Sequence, residues 1–354
     1  MKYFGKYFKY RLKEAVGHFA IITLILVVIA ALFNIKVLRG NRDENNIVQV
    51  IGIISDLNFL FIAYNLIPFI VTICEFSSLM NKRNSDIITS FPISKRGVAL
   101  AHYLVSIIAT VSSMLISFAV AYSRIVVKAL NNGIRDYPIF NGILGFLIAV
   151  LYAIIIVTIV SFIFNCANSL LDGIVFVGAW TISPYVIDYA YRYAFVRGTG
   201  FPKLPINLQD LILINTISGI NKGFDQHIVG SPKGIEKLFE NISQIQILVI
   251  LTGVSVLAFI GLFLVSKRKK VETIGDMSDS WLGYKVLVPL YGVCIALYGI
   301  ATASELTAVP IVIGGMFSGY CLYRKGVRLR LPDIIWIVGT TGFSLIRVLI
   351  EALE

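Results

Sequence analysis

The sequence predicts an all-α, polytopic membrane protein, and three observations carry that reading. Of 354 residues, 57% are hydrophobic and only 14% are charged, against roughly 25% charged in an average soluble domain. Mean hydropathy is +0.83. Several apolar runs reach about 20 residues, enough to cross a hydrocarbon layer of about 30 Å as a helix. The basic residues give a formal net charge of +11, but they gather at the ends of these runs rather than in one patch. That spacing fits topology signals and anionic lipid, and it argues against nucleic acid as a partner.

Residues 1–17 read as an amphipathic helix lying on the inner membrane surface. At helical spacing Lys2, Lys6, Lys9 and Lys13 share one narrow face. Phe4, Phe8, Leu12 and Ala15 gather opposite, with Arg11 the one exception. A lysine stripe against an aromatic and aliphatic face is the pattern of an interfacial helix. The apolar segment that follows is too long for a signal-peptide core and is expected to stay as a span.

A six-span core is expected over 18–276. Its first span is His18–Leu38, followed by a polar turn, Arg39–Asn46, and a second span, Ile47–Phe76. A third span, Gly97–Ser123, leads to a polar connection, Arg124–Tyr137. The fourth and fifth spans, Ile139–Phe164 and Leu171–Tyr189, are joined by the tight turn Asn165–Asn168. A glycine- and proline-rich polar insertion, 196–242, is expected outside as a small cap with helical patterns at Leu208–Ile217 and Pro232–Asn241. The sixth span, Ile245–Val265, returns to the basic run Lys267–Lys270. A C-terminal hydrophobic extension, 277–354, adds spans at Tyr284–Ala301 and Ala308–Tyr323. A last apolar stretch, Ile334–Ile350, crosses or re-enters, with Arg347 and Glu351 placed to pair at its end.

The stretch between spans two and three, 80–96, carries Lys82, Arg83, Lys95 and Arg96, which mark it as cytoplasmic. Its first half has the length of about two helical turns, and Pro92 stops that helix because the preceding residue disfavours the α region. With this loop inside, the cytoplasmic segments carry eighteen Lys and Arg residues and the outer ones twelve. The N-terminus is therefore expected in the cytoplasm.

Chemistry-bearing motifs are sparse. No G-x-x-x-x-G-K-[ST] phosphate loop, H-E-x-x-H metal motif or G-x-S-x-G serine site occurs. Cys74, Cys166, Cys294 and Cys321 give neither a disulfide framework nor metal spacing. His18, His102 and His227 are far apart, and the first two read as ordinary interface residues. Ionisable residues within spans mark ion-driven carriers, and here few are expected. Asp56, in the second span with Asn65 beyond it, is the candidate for a substrate pathway. Asp172 begins the fifth span. Asp188 and Arg192 read as a local ion pair at the surface. No enzymatic activity and no cofactor are expected of the chain itself.

The order of these parts resembles the permease subunits of type-2 ABC exporters, in particular Gram-positive members with C-terminal extensions. The resemblance rests on the segment Asp86-Ile87-Ile88-Thr89-Ser90-Phe91-Pro92-Ile93-Ser94-Lys95-Arg96 and on Lys267-Arg268-Lys269-Lys270-Val271-Glu272-Thr273-Ile274-Gly275 after the sixth span. His102 departs from it, since the family often has Lys or Arg beginning the third span. The resemblance implies that Met80–Ser90 is a coupling helix docking into a separate ABC ATPase subunit. Lys82, Arg83, Asp86 and Ser90 would make contacts there, Pro92 would fix the turn, and Lys95 and Arg96 would face the ATPase or lipid phosphate. It further implies ATP and Mg on that partner, a second permease chain, and a multi-pass protein of a bacterial plasma membrane. Export or flipping of a peptide, lipid or cell-envelope compound would follow. The alternative is a stand-alone ion-coupled secondary transporter. An intramembrane enzyme is disfavoured for want of a nucleophile, metal cluster or buried acid pair.

Overall fold

The computed structural model describes residues 3–32, 35–42, 48–55, 58–81, 91–131, 139–192, 242–269, 272, 274–276, 278–301, 305–324 and 326–345. Among them are nine α-helices and one β-hairpin. The helices are α1 (Phe4–Leu32), α2 (Asn58–Ser77), α3 (Lys95–Asn131), α4 (Ile139–Asn165), α5 (Leu170–Tyr191), α6 (Ile242–Arg268), α7 (Tyr284–Ala301), α8 (Glu305–Arg324) and α9 (Leu331–Ser344). Six helical stretches are long and apolar enough to cross a membrane: Phe4–Leu32, Ala63–Met80, Lys95–Lys128, Phe146–Asn165, Leu170–Tyr191 and Leu248–Arg268. The protein is a polytopic, largely helical membrane protein.

Several boundaries move from their expected places. The expected interfacial helix and first span share one helix, since α1 runs unbroken from Phe4 and ends at Leu32, short of Leu38. The polar turn Arg39–Asn46 and the start of the second span give way to β1 (Ile35–Arg42) and β2 (Val48–Ser55). These strands pair antiparallel with Ile35 opposite Ser55 and Leu38 opposite Gly52, and the register shifts beyond Leu38. Val48, Val50, Ile51, Ile53 and Ile54 explain the difference, because β-branched side chains lose little by standing on a pleated strand. The expected connection Arg124–Tyr137 is helical to Asn131, so α3 has 37 residues. At 1.5 Å per residue that is about 55 Å, well beyond one bilayer core. The turn at Asn165–Asn168 and the helix Tyr284–Ala301 stand where expected. Helix α9 has 14 residues, about 21 Å and too short to cross the hydrocarbon as it stands. Arg347, Glu351 and the patterns at Leu208–Ile217 and Pro232–Asn241 lie outside the described residues.

The chain forms two compact units. In the first, α1 and α2 pack on α3 around Phe19, Leu26, Leu60, Tyr64, Val71, Val105 and Met114. Buried hydroxyls let these helices approach closely and bond across the interface. Thr23 Oγ1 lies 2.7 Å from Ser113 Oγ, and Tyr64 Oη lies 2.9 Å from Ser117 Oγ.

The second unit holds α5 and α7–α9, with Ala296, Val312, Met316, Tyr320 and Tyr323 at its centre. The first turn of α5 anchors it. Ser169 caps the helix by accepting from the Asp172 N–H, while the Asp172 carboxylate accepts from the Ser278 N–H at 2.8 Å and the Tyr284 hydroxyl at 2.9 Å. Gly275 has φ 84, a left-handed conformation that a side chain would strain, and donates its N–H to the Asn168 carbonyl.

Candidate functional site

The first unit buries a charged knot at one end of its helices. Arg11 is the residue of α1 that departs from the lysine pattern, and the fold shows why. Tyr7, Arg11, Ala15 and Phe19 recur every fourth position and form the buried stripe of α1, while Lys6, Lys9 and Lys13 stay exposed. Arg11 is thus carried inward, at 8% exposure. Its Nε donates to Glu75 Oε1 at 2.9 Å, one terminal nitrogen donates to Glu14 Oε2 at 2.6 Å, and the other donates to Ser78 Oγ at 3.0 Å.

Glu75 comes from the last turn of α2 and is 2% exposed. From α3, the fully buried His102 brings Nδ1 to 2.8 Å from the same Glu75 oxygen. On the other side of the ring, Nε2 lies 3.0 Å from the Tyr7 hydroxyl. The knot therefore ties three helices through one carboxylate. A buried ion pair need not add net stability, but removing one partner strands the other charge.

The knot touches the far end of the polar loop. The Phe91 ring sits 5.7 Å from Tyr7 and 6.4 Å from Tyr10, centroid to centroid. Gly97, in the first turn of α3, approaches the ring of Phe4. Pro92, Lys95 and Arg96 are exposed beside this contact, with Lys95 beginning α3. Lys82, Arg83, Asp86 and Ser90 lie outside the described residues, as do Lys2 and Asp56. The coupling helix expected at Met80–Ser90 falls there too, apart from Met80 and Asn81. Helix α2 starts only at Asn58, so the expected long second span is corrected; Asn65 is buried on it, together with Thr72 and Glu75.

Two further expectations are corrected by burial, and a third holds in part. His102 is no interface residue but the centre of the knot. Asp188 and Arg192 form the expected local ion pair, with Nε 2.8 Å from Oδ2; the Arg192 side chain is 40% exposed, whereas Asp188 is only 1% exposed. Buried carboxylates are not scarce either, since Glu75, Asp172, Asp188 and Asp333 all qualify. A sequence signal for the knot did exist: a cation on the apolar face of α1, and a polar series on α3 that leads from His102 through Ser106, Thr110, Ser113 and Ser117. All five face inward.

Among the described residues no cluster of His, Cys, Asp and Glu could hold a metal ion. No family model matches the chain, and no curated protein or solved structure is found to match it. Fold and site together describe a multi-span membrane protein in which one buried carboxylate braces three helices beside a basic polar loop.

Proposed function

We propose that this chain is the permease subunit of an ABC exporter, moving or flipping a peptide, lipid or cell-envelope compound. It has no engine of its own in this reading. ATP and Mg belong to separate ATPase subunits, and a second permease chain completes the path. The N-terminus and the 80–96 loop face the cytoplasm of a bacterial cell.

The observation that carries the reading is the Arg11–Glu75–His102 knot beside the loop's exit. A transporter driven from outside needs a place where force enters and a rigid connection from there to its spans. Pressure on the loop would reach α1 through Phe91, Tyr7 and Tyr10. The knot would then make α1, α2 and α3 respond as one body, because none can shift without breaking a buried charge-assisted bond. Lys95 and Arg96, exposed where α3 starts, supply the contact charges.

The test is co-purification of the chain with an ABC ATPase, with ATP turnover measured in membranes. Replacing Arg83 and Arg96 together by Glu is expected to separate the pair or uncouple turnover from transport. Unchanged partner binding and turnover would remove the coupling role.

A second reading, an ion-coupled carrier, has its own support in Glu75, His102 and the buried hydroxyl series of α3. It predicts gradient-driven transport by the purified chain in proteoliposomes without nucleotide, lost in Glu75→Gln. The first reading predicts no such transport.

A further inference from the structure

The buried polar series on α3 is longer than the knot requires. His102, Ser106, Thr110, Ser113 and Ser117 are each at most 1% exposed. They fall at steps of four, four, three and four residues, so they form one stripe on one helix face. From His102 to Ser117 the stripe is about 22 Å long, against a hydrocarbon core of about 30 Å. Helix α2 runs antiparallel beside it. The two helices meet at Glu75 and His102 at the knot end, and at Tyr64 and Ser117 at the far end. Between these two levels lie Thr72 on α2 and Thr110 on α3.

A threonine within a helix commonly returns its hydroxyl to the carbonyl four residues back. In this unit Thr23, Thr158 and Thr252 do so, donating to Phe19, Ile154 and Leu248. Thr72 and Thr110 do not. They are 0% and 1% exposed, and among the described residues neither hydroxyl has a hydrogen-bond partner. A buried hydroxyl in that position bears its full desolvation penalty. Two of them in one stretch of facing helices call for a ligand that both donates and accepts. Val71, Val105 and Ala109 are buried in the same packed core, which favours the smallest such molecule. Internal water binds in this way, bonding to polar groups that the chain leaves over.

We infer that the α2–α3 seam of the first unit binds internal water at Thr72 and Thr110, and that its mouth is the knot end. At that end Arg11 bonds Glu14, whose side chain is 48% exposed, and the half-buried Ser78. Beyond Tyr64 and Ser117 the buried neighbours are Leu60, Ala121 and Ile125, all apolar. The seam is therefore a one-sided inlet, carrying water from the knot to Thr110, about 12 Å further along α3. The inference stands apart from both transport readings, since it concerns only what the seam holds.

Radiolytic footprinting tests it. Full-length protein in detergent is exposed to short X-ray pulses, which make hydroxyl radicals from water where that water sits, and oxidised side chains are read by peptide mass spectrometry. Tyr64 and Tyr320 are matched in burial, at 1% and 2% exposure, but only Tyr64 belongs to the seam. Tyr64 is expected to label about five-fold faster than Tyr320 or more, because held water oxidises what it touches even in a closed interior. Met114, one turn from Thr110 and fully buried, should label along with it. Thr72→Val with Thr110→Val should bring the Tyr64 rate down to that of Tyr320 and lower the melting temperature, while Thr72→Ser with Thr110→Ser should keep the fast rate. Equal labelling of Tyr64 and Tyr320 in the unaltered chain overturns the proposal, and that comparison stands even if the valine pair does not fold. A valine pair that melts above the parent overturns it as well, since that is the behaviour of dry, unpaired hydroxyls.

Discussion

Arg11 and Glu75 are 64 residues apart, yet their side chains meet at 2.9 Å in a site that water scarcely reaches. No local periodicity brings them together. Only the packing of α1 against the end of α2 does, and the bond then holds that packing in one register. Glu75→Gln removes the charge but keeps the shape, leaving Arg11 with Glu14 as its one charged partner beside the Ser78 hydroxyl. A loss of roughly 3–5 kcal/mol is expected, as for breaking a buried pair from one side. Detergent melting curves check it, and Arg11→Met with Glu75→Met together should recover at least half of that loss.

Tyr7→Phe deletes only the hydroxyl that faces His102 Nε2. The imidazole then loses a buried partner, and a cost of about 1–3 kcal/mol follows from leaving that nitrogen unsatisfied. Tyr10→Phe, at an exposed neighbouring position, is expected to stay within about 0.5 kcal/mol of the parent. Urea or thermal unfolding of the two variants side by side decides it.

Helix α5 offers a matched pair of glycines. A Cβ on Gly173 would lie 2.6 Å from a ring carbon of Phe164, whereas one on Gly178 meets nothing within 4 Å. Gly173→Ala should destabilise by about 1–3 kcal/mol through overpacking. Gly178→Ala should be neutral or stabilising by up to about 1 kcal/mol, since alanine is the better helix former. Melting temperatures that move together for the two would refute the close approach at Gly173.

Lys269 gives a dependence on pH. Its ammonium donates to the carbonyls of Asn165 and Ala167 at 3.2 and 2.8 Å, tucked beneath the turn between α4 and α5. Burial pushes its pKa down from 10.5 to about 8, with the neighbouring Cys166 acting in the opposite direction. Below pH 8 both folded and unfolded chains carry the charge, and its desolvation cost is fully present. Between pH 8 and 10.5 the folded chain sheds the proton first, so the unfolded chain binds more protons and stability rises with pH. Above that window no further gain accrues. The difference in melting temperature between the parent and Lys269→Met should be flat below pH 8 and should shift in the parent's favour up to pH 10.5.

The helices were legible because length and hydropathy act locally. The turn at Asn165–Asn168 was legible for the same reason, as two asparagines interrupting two apolar runs. The hairpin was not, because a run such as Val48–Ile54 satisfies a buried helix and a β-strand alike until its partner strand is known. The knot was half legible. Arg11 visibly broke the pattern of its helix, but its partners lie 64 positions away for Glu75 and, through Glu75, on a third helix for His102. Reading His102 as a boundary residue ignored the inward-facing polar series that it begins.

The length of α3 has a mechanical consequence. A rod of about 55 Å set in a hydrocarbon slab of about 30 Å has about 25 Å to spare. That excess carries the Arg124–Asn131 end past a single hydrocarbon layer, and Arg124 there donates to the Ala30 carbonyl, so the overhang is fastened to the end of α1.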